Sequence, residues 1–157
     1  MTLSPFRFIP PFFLILSVAA TALGCSNPLK TCVFSSVKAQ LTIEGEPVKG
    51  ATVIRRWDWQ KQREDRTVTD ESGYFEFPAR FEYSVLRLLP AEIVIGQGLY
   101  VLLEGEEKAF WTNARRDPEE NAEYQGHPID IVCDLRDEEV LIKEFGARMV
   151  TLCILNQ

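Results

Sequence analysis

The sequence predicts an all-β fold, an antiparallel β-sandwich, on three observations. Val37, Ala39, Leu41 and Ile43 alternate with Lys38, Gln40 and Thr42, which puts one apolar face on a strand of period two. Short apolar segments of this kind recur along the chain between turn-forming groups such as Glu44-Gly45-Glu46-Pro47 and Asp70-Glu71-Ser72-Gly73. No segment carries a long helical period. Regular short strands separated by glycine-containing turns are the pattern of a sandwich.

The elements follow in order. After the strand at 37–43, Gly45 and Pro47 make a turn, and a second strand runs from about Ala51 to Trp57. A third lies near Arg66 to Thr69. In the next turn Asp70 is placed to bond the backbone and Gly73 to take a left-handed conformation, while Gly50 is read as a point of close chain approach. Tyr74 to Phe77 returns across the sheet, and Phe81 to Leu89 is assigned a helical turn or two. Further strands are expected at 93–95, 99–103, 108–112, 127–135 and 148–155, with Ala114 to Gln125 as an exposed polar loop.

The first 24 residues stand apart from this pattern. They hold no acid and a single base, Arg7, ahead of the apolar run Phe12 to Ala20, which reads as a secretory signal peptide. The run is too short for a membrane-spanning helix, which needs about 20 apolar residues. Ala22-Leu23-Gly24-Cys25 resembles a bacterial lipobox, although Ala22 stands where leucine is usual, and the resemblance implies lipidation of Cys25. Ordinary cleavage after Ala22 is the alternative. The expected organisation is therefore a signal peptide at 1–24, a lipidated or flexible segment at 25–36, and one sandwich domain at 37–157. The expected location is the periplasm, anchored by lipid to the bacterial outer membrane.

Composition narrows the function. The 157-residue chain has 17 basic and 23 acidic side chains, a formal charge of −6, and one histidine, His127. An acidic surface disfavours nucleic acid, whose phosphates draw on a lysine and arginine excess. No GxSxG, HExxH, GxxxxGK or dinucleotide-binding glycine pattern occurs, so no catalytic residue, cofactor or metal is assigned. Acidic pairs such as Glu106-Glu107 and Glu119-Glu120 read as solvated surface. In an oxidising compartment Cys32, Cys133 and Cys153 are disulfide candidates; if Cys25 carries lipid, one of the three stays free.

One segment differs from its acidic surroundings: Arg55-Arg56-Trp57-Asp58-Trp59-Gln60-Lys61-Gln62-Arg63. Strand alternation puts Arg55, Trp57 and Trp59 on one face and Arg56 and Asp58 on the other. Tryptophan and arginine are frequent binding hot spots, so Arg55, Arg56, Trp57, Trp59 and Arg63 are the candidate partner-binding residues. The acidic loops at 104–107 and 117–123 are a second candidate, as a field that steers a basic partner.

The stretch Val37 to Phe77, with Gly45-Glu46-Pro47-Val48-Lys49-Gly50-Ala51 and Thr69-Asp70-Glu71-Ser72-Gly73-Tyr74, resembles the transthyretin-like domains that include the regulatory domain of carboxypeptidases. That resemblance implies the sandwich and leaves function open. A longer set of motifs is similar to a family of small uncharacterised bacterial proteins. It comprises Cys32-Val33-Phe34-Ser35, Arg55-Arg56-Trp57-Asp58-Trp59, Phe75-Glu76-Phe77-Pro78, Leu89-Pro90, Trp111 and Pro128-Ile129-Asp130-Ile131-Val132-Cys133-Asp134-Leu135. Some members of that family resemble immunity proteins encoded beside type VI secretion effectors. The resemblance implies an exported protein whose partner is a secreted toxin, with no nucleic acid and with membrane contact only through the N-terminal lipid. A structural or envelope-associated module that binds carbohydrate or an assembly partner is the other reading.

Overall fold

The computed structural model describes residues 27–90, 92–143 and 148–156. The expected signal peptide and the candidate lipid site Cys25 lie outside the described residues. Thirteen strands and one short 3₁₀ helix make up the described fold. In chain order they are β1 (Lys30–Phe34), β2 (Val37–Ile43), β3 (Glu46–Pro47), β4 (Thr52–Trp59), β5 (Lys61–Val68), β6 (Tyr74–Phe77), β7 (Arg80–Tyr83), the 3₁₀ turn Val85–Leu88, β8 (Ile95–Leu103), β9 (Glu106–Arg115), β10 (Ile129–Asp134), β11 (Val140–Ile142), β12 (Arg148–Thr151) and β13 (Cys153–Leu155).

A six-stranded antiparallel sheet runs β11-β12-β9-β8-β4-β5. A five-stranded sheet runs β13-β10-β2, with β3 and β6 both paired to β2. A two-stranded sheet pairs β1 with β7. The all-β sandwich is thus observed, with one parallel pair: β2 lies beside β10 with Val37 opposite Ile129, Ala39 opposite Ile131 and Leu41 opposite Cys133. A hairpin cannot join parallel neighbours, and here the long connection between them passes through the other sheet.

The period-two pattern explains the core. Val37, Ala39, Leu41, Phe75, Phe77, Ile129 and Ile131 face Val53, Trp57, Trp59, Ile95, Leu99 and Val101 in one buried cluster. In β9 the alternation breaks, because the register shifts at Leu99/Tyr100 and leaves Phe110 as an extra residue. A bulge of this kind lets two successive side chains turn inward, and both Phe110 and Trp111 are buried. Phe75 meets Phe77 and Phe110 edge-on at 5.8 and 6.2 Å, and Phe34 tilts against Trp111 at 5.6 Å.

Turn chemistry holds the strands in register. Asp70 Oδ1 accepts the amides of Ser72 and Tyr74 at 2.8 and 2.9 Å, as its position in the turn predicts. Gly73 has a φ of 76°, and a Cβ there would meet the Leu41 carbonyl at 2.4 Å. The close approach expected at Gly50 belongs to Gly73; Gly50 has open space and a φ of 64°. Asp134 accepts the amides of Arg136, Gly45 and Glu44 and the Thr42 hydroxyl, which pins the β2–β3 turn to β10. The backbone bonds from Arg136 and Gly45, chief among these, hold its pKa down at about 2.

Three expectations are corrected. Residues 25–36 are not wholly a flexible lead-in, because Lys30–Phe34 forms β1 and Thr31 to Ser35 are buried. The strand has no alternation since consecutive side chains are all covered, so its periodic signal is absent. The third strand extends back to Lys61, as β5, in a hairpin with Gln60 at its tip with a φ of 65°. Its residues KQRED are charged or polar because β5 is the open edge of the six-stranded sheet, where charge discourages pairing with another chain. The segment 114–125 is not simply exposed, since Glu123 and Tyr124 are buried. For Phe81 to Leu89 the outcome is divided between the end of β7 and the 3₁₀ turn.

Cys133 and Cys153 face each other across β10 and β13 and form a disulfide; Cys32 is free and buried. The bridge spans 20 residues. It also ties β13 to the five-stranded sheet after β12 has joined the six-stranded one. Cys133→Ala with Cys153→Ala should lower stability by about 3 kcal/mol, the loop-closure contribution of such a ring. Urea unfolding of the double variant against the oxidised parent checks this; an unchanged midpoint would contradict it.

Candidate functional site

β4 carries four of the five candidate partner-binding residues and divides them between its faces as alternation requires. Arg55, Trp57 and Trp59 point into the sandwich, where Arg55 is wholly buried and the tryptophans are 6% and 7% exposed. This corrects the expectation that all five form a contact surface. A guanidinium is tolerated there because its charge is paired and each of its three nitrogens donates a hydrogen bond. Arg55 Nε and Nη2 form a fork on the two oxygens of Asp65 at 2.9 and 2.7 Å, and Nη1 donates to the Pro78 carbonyl at 2.7 Å. Its flat face lies 4.5 Å from the Phe77 ring centre. Trp57 Nε1 donates to Glu82 at 2.8 Å, and the same carboxylate pairs with Arg63 at 3.3 Å. Arg63, on β5, remains at the surface.

Arg56 occupies the outer face. It bonds Glu64 through Nε and Nη2 at 3.2 and 2.9 Å and Glu107 through Nη1 and Nη2 at 3.2 and 3.3 Å. Its guanidinium lies 4.7 Å from the Tyr100 ring centre. Its hydrogen bonds to Glu107 first and Glu64 second push its pKa further up, so it is a fixed cation. Arg66 and Arg56 in turn hold the Glu64 carboxyl below its ordinary value. The acidic loop at 104–107 is therefore partly neutralised.

Beside Arg56 the outer face is concave. A depression of about 300 Å³ is lined by Arg56, Asp58, Gln62, Gly96, Gly98, Tyr100 and Thr112, with parts of Trp57, Gln97 and Asn113 at its floor. Glycine makes the depression possible. A Cβ on Gly98 would lie 2.6 to 2.9 Å from the Tyr100 ring, so that ring rests over Gly98 because nothing projects there. Neither glycine nor Tyr100 was a sequence candidate. Their signal was weak: Gly96 and Gly98 in a strand mark a place where another group comes close.

A second polar cluster lies inside the fold. Arg115 Nη1 meets Glu123 Oε1 at 2.5 Å, and both side chains are buried. Glu123 also accepts the Ser35 hydroxyl at 2.6 Å and Gln97 Nε2 at 2.8 Å. Arg115 donates further to the carbonyls of Cys32, Asp117 and Glu119. Gln97 reaches Val33 and receives Asn113, and Trp111 Nε1 donates to the Tyr124 hydroxyl at 3.0 Å. Burial would raise the Glu123 pKa, but Arg115, Ser35 and Gln97 outweigh it and hold the carboxyl below its ordinary value. An ionised, fully engaged carboxylate is a poor base toward a substrate. The cluster fastens β1, β8, β9 and the 117–123 loop to one another.

Cys32 belongs to the edge of this cluster. Its Sγ lies 3.8 Å from Ser35 Oγ, and burial raises its pKa despite Arg115, which keeps it a thiol at neutral pH. His127 is exposed in the loop where Tyr124 and His127 form an isolated bridge. Among the described residues no group of three or more His, Cys, Asp or Glu is placed to hold a metal ion, and no helix is long and apolar enough to cross a membrane.

A family model described as a domain of unknown function, DUF6795, matches residues 37–138, from the start of β2 to just beyond β10. The outer-face depression falls inside that span, whereas β1, β12 and the second cysteine of the disulfide fall outside it. No curated protein and no solved structure matches the chain.

Proposed function

The chain belongs to the DUF6795 family, a domain family of unknown function, and we propose from its own geometry that it is an exported protein-binding module. In this reading it is a periplasmic immunity protein that neutralises a type VI secretion effector by covering it. Its partner is a protein, its contribution is shape and charge, and it performs no reaction. One observation supports the binding role above others. The outer face of the six-stranded sheet displays a cation, two pairing carboxylates and an aromatic ring around a depression on a rigid floor. Side chains held by such a sheet lose little freedom on binding, which favours affinity per contact. The disulfide is compatible with an oxidising compartment.

The test begins with co-purification of the chain lacking residues 1–24, to recover the protein it captures. That protein, sent to the periplasm, should inhibit growth, and the exported full-length chain should restore it. Arg56→Glu should weaken capture by roughly 30-fold, the effect of losing a hot spot of about 2 kcal/mol, and should lower melting by a few degrees because it sets a third carboxylate beside Glu64 and Glu107. Failure of the exported chain to restore growth would sink the immunity reading. Undiminished capture by Arg56→Glu would remove this face from the interface.

A further inference from the structure

A cluster of exposed apolar side chains lies outside the lining of the outer-face depression. Tyr83, Val85, Leu88 and Leu89 are 66%, 69%, 64% and 55% exposed. These four fall within seven consecutive positions, from the end of β7 through the 3₁₀ turn to the residue after it; in such a turn residues three apart stand on one side, so Val85 and Leu88 project together. Large apolar groups clustered at one surface position mark a contact with something apolar.

The path of the chain indicates what that is. Lys30 pairs with Tyr83 across β1 and β7, the Ser84 amide donates to the Leu29 carbonyl at 3.0 Å, and Arg87 Nη1 donates to the Lys30 carbonyl at 2.7 Å. The apolar turn is thereby stapled to the first described residues. Cys25 lies two residues before Asn27, a reach of about 7 Å at full extension. Attachment to a bilayer through a lipid on Cys25 brings this turn to the lipid surface. Lys30, beside the Phe81 ring at 3.8 Å, stands at its polar margin, where a long cationic side chain can keep its head in water.

We propose that the turn formed by Tyr83, Val85, Leu88 and Leu89 is a membrane-contact spur that dips into the interface of a phospholipid bilayer and orients the sandwich on it. Membrane contact then extends beyond the N-terminal attachment. The proposal rests on the export and anchoring part of the proposed function and is independent of the partner that is bound.

The test uses the full-length chain made in bacterial cells, with a diazirine photo-crosslinking residue placed at Val85, at Leu88 or, as a control, at Val68. Val68 is 57% exposed and lies at the far end of β5 from Arg63, which contacts Glu82 beside the turn. Cells are fractionated, irradiated, and the adducts weighed by mass spectrometry. Lipid adducts several-fold more abundant from positions 85 and 88 than from 68, in the membrane fraction, are the expected result. Membrane-bound protein without lipid adducts at 85 and 88 would overturn the spur and leave the anchor standing. Protein found only in the soluble fraction would overturn both. Equal lipid adducts from position 68, or protein adducts in place of lipid at 85 and 88, would also overturn the spur.

Discussion

Glu123→Gln should lower the stability of the folded protein by about 3–5 kcal/mol, because it leaves the buried Arg115 guanidinium without its counter-charge. For a domain of this size that corresponds to a fall in melting temperature of about 10–20 °C. Arg115→Met should cost a similar amount for the mirror reason, a carboxylate stranded among Ser35 and Gln97. The double variant should lose less than the two single losses added, since removing both charges removes the penalty that each single change exposes. The acid side carries a further sign. Because the folded-state pKa of Glu123 is below its unfolded value, its contribution is present above about pH 4.3 and disappears as pH falls through the folded value. The stability of Glu123→Gln should therefore depend less on pH below about 4.3 than that of the parent. Additive single losses, or melting within a few degrees of the parent, would contradict the network described.

Trp57→Ala should be destabilising by about 3–5 kcal/mol, the usual cost of deleting a large aromatic from a core. The Glu82 carboxylate also loses the indole donor at 2.8 Å and keeps Arg63. Trp59→Ala should follow in the same direction. Thermal melting and partner capture, measured on the same samples, separate the two roles. A surface hot spot would lose capture with its melting unchanged; a core residue loses melting temperature first. Trp57→Phe, which keeps an aromatic ring of smaller size and removes the donor, should fall between parent and alanine variant. A parent-like melting temperature for Trp57→Ala would return these residues to the contact surface.

The case of β4 shows how far one-dimensional pattern carries. That Arg55, Trp57 and Trp59 share a face and Arg56 and Asp58 the other follows from the pleat alone, and the register agrees. Which face is inside does not follow. Arginine and tryptophan together look like a surface, yet Arg55 is buried because Asp65, on the neighbouring strand, pairs its charge and, with the Pro78 carbonyl, accepts three of its hydrogen bonds. Those partners lie 10 and 23 residues away, and no local window contains them. Glu123 was hidden in the same way: in sequence it is one more acid in a polar loop, and only the fold brings Arg115, Ser35 and Gln97 around it.

By itself the sequence determined the all-β class, the positions of the strands whose one face is wet, the Asp70 turn and the two-faced character of β4. These are properties of neighbours along the chain, set by the pleat and by turn residues acting within a few positions. The tertiary structure decided the parallel seating of β2 on β10, the Cys133–Cys153 pairing, the burial of β1 and the depression beside Arg56 that Gly96 and Gly98 help to line. Each of these joins residues distant in sequence. Their energies depend on desolvation and partner geometry, which exist only once the two sheets have closed.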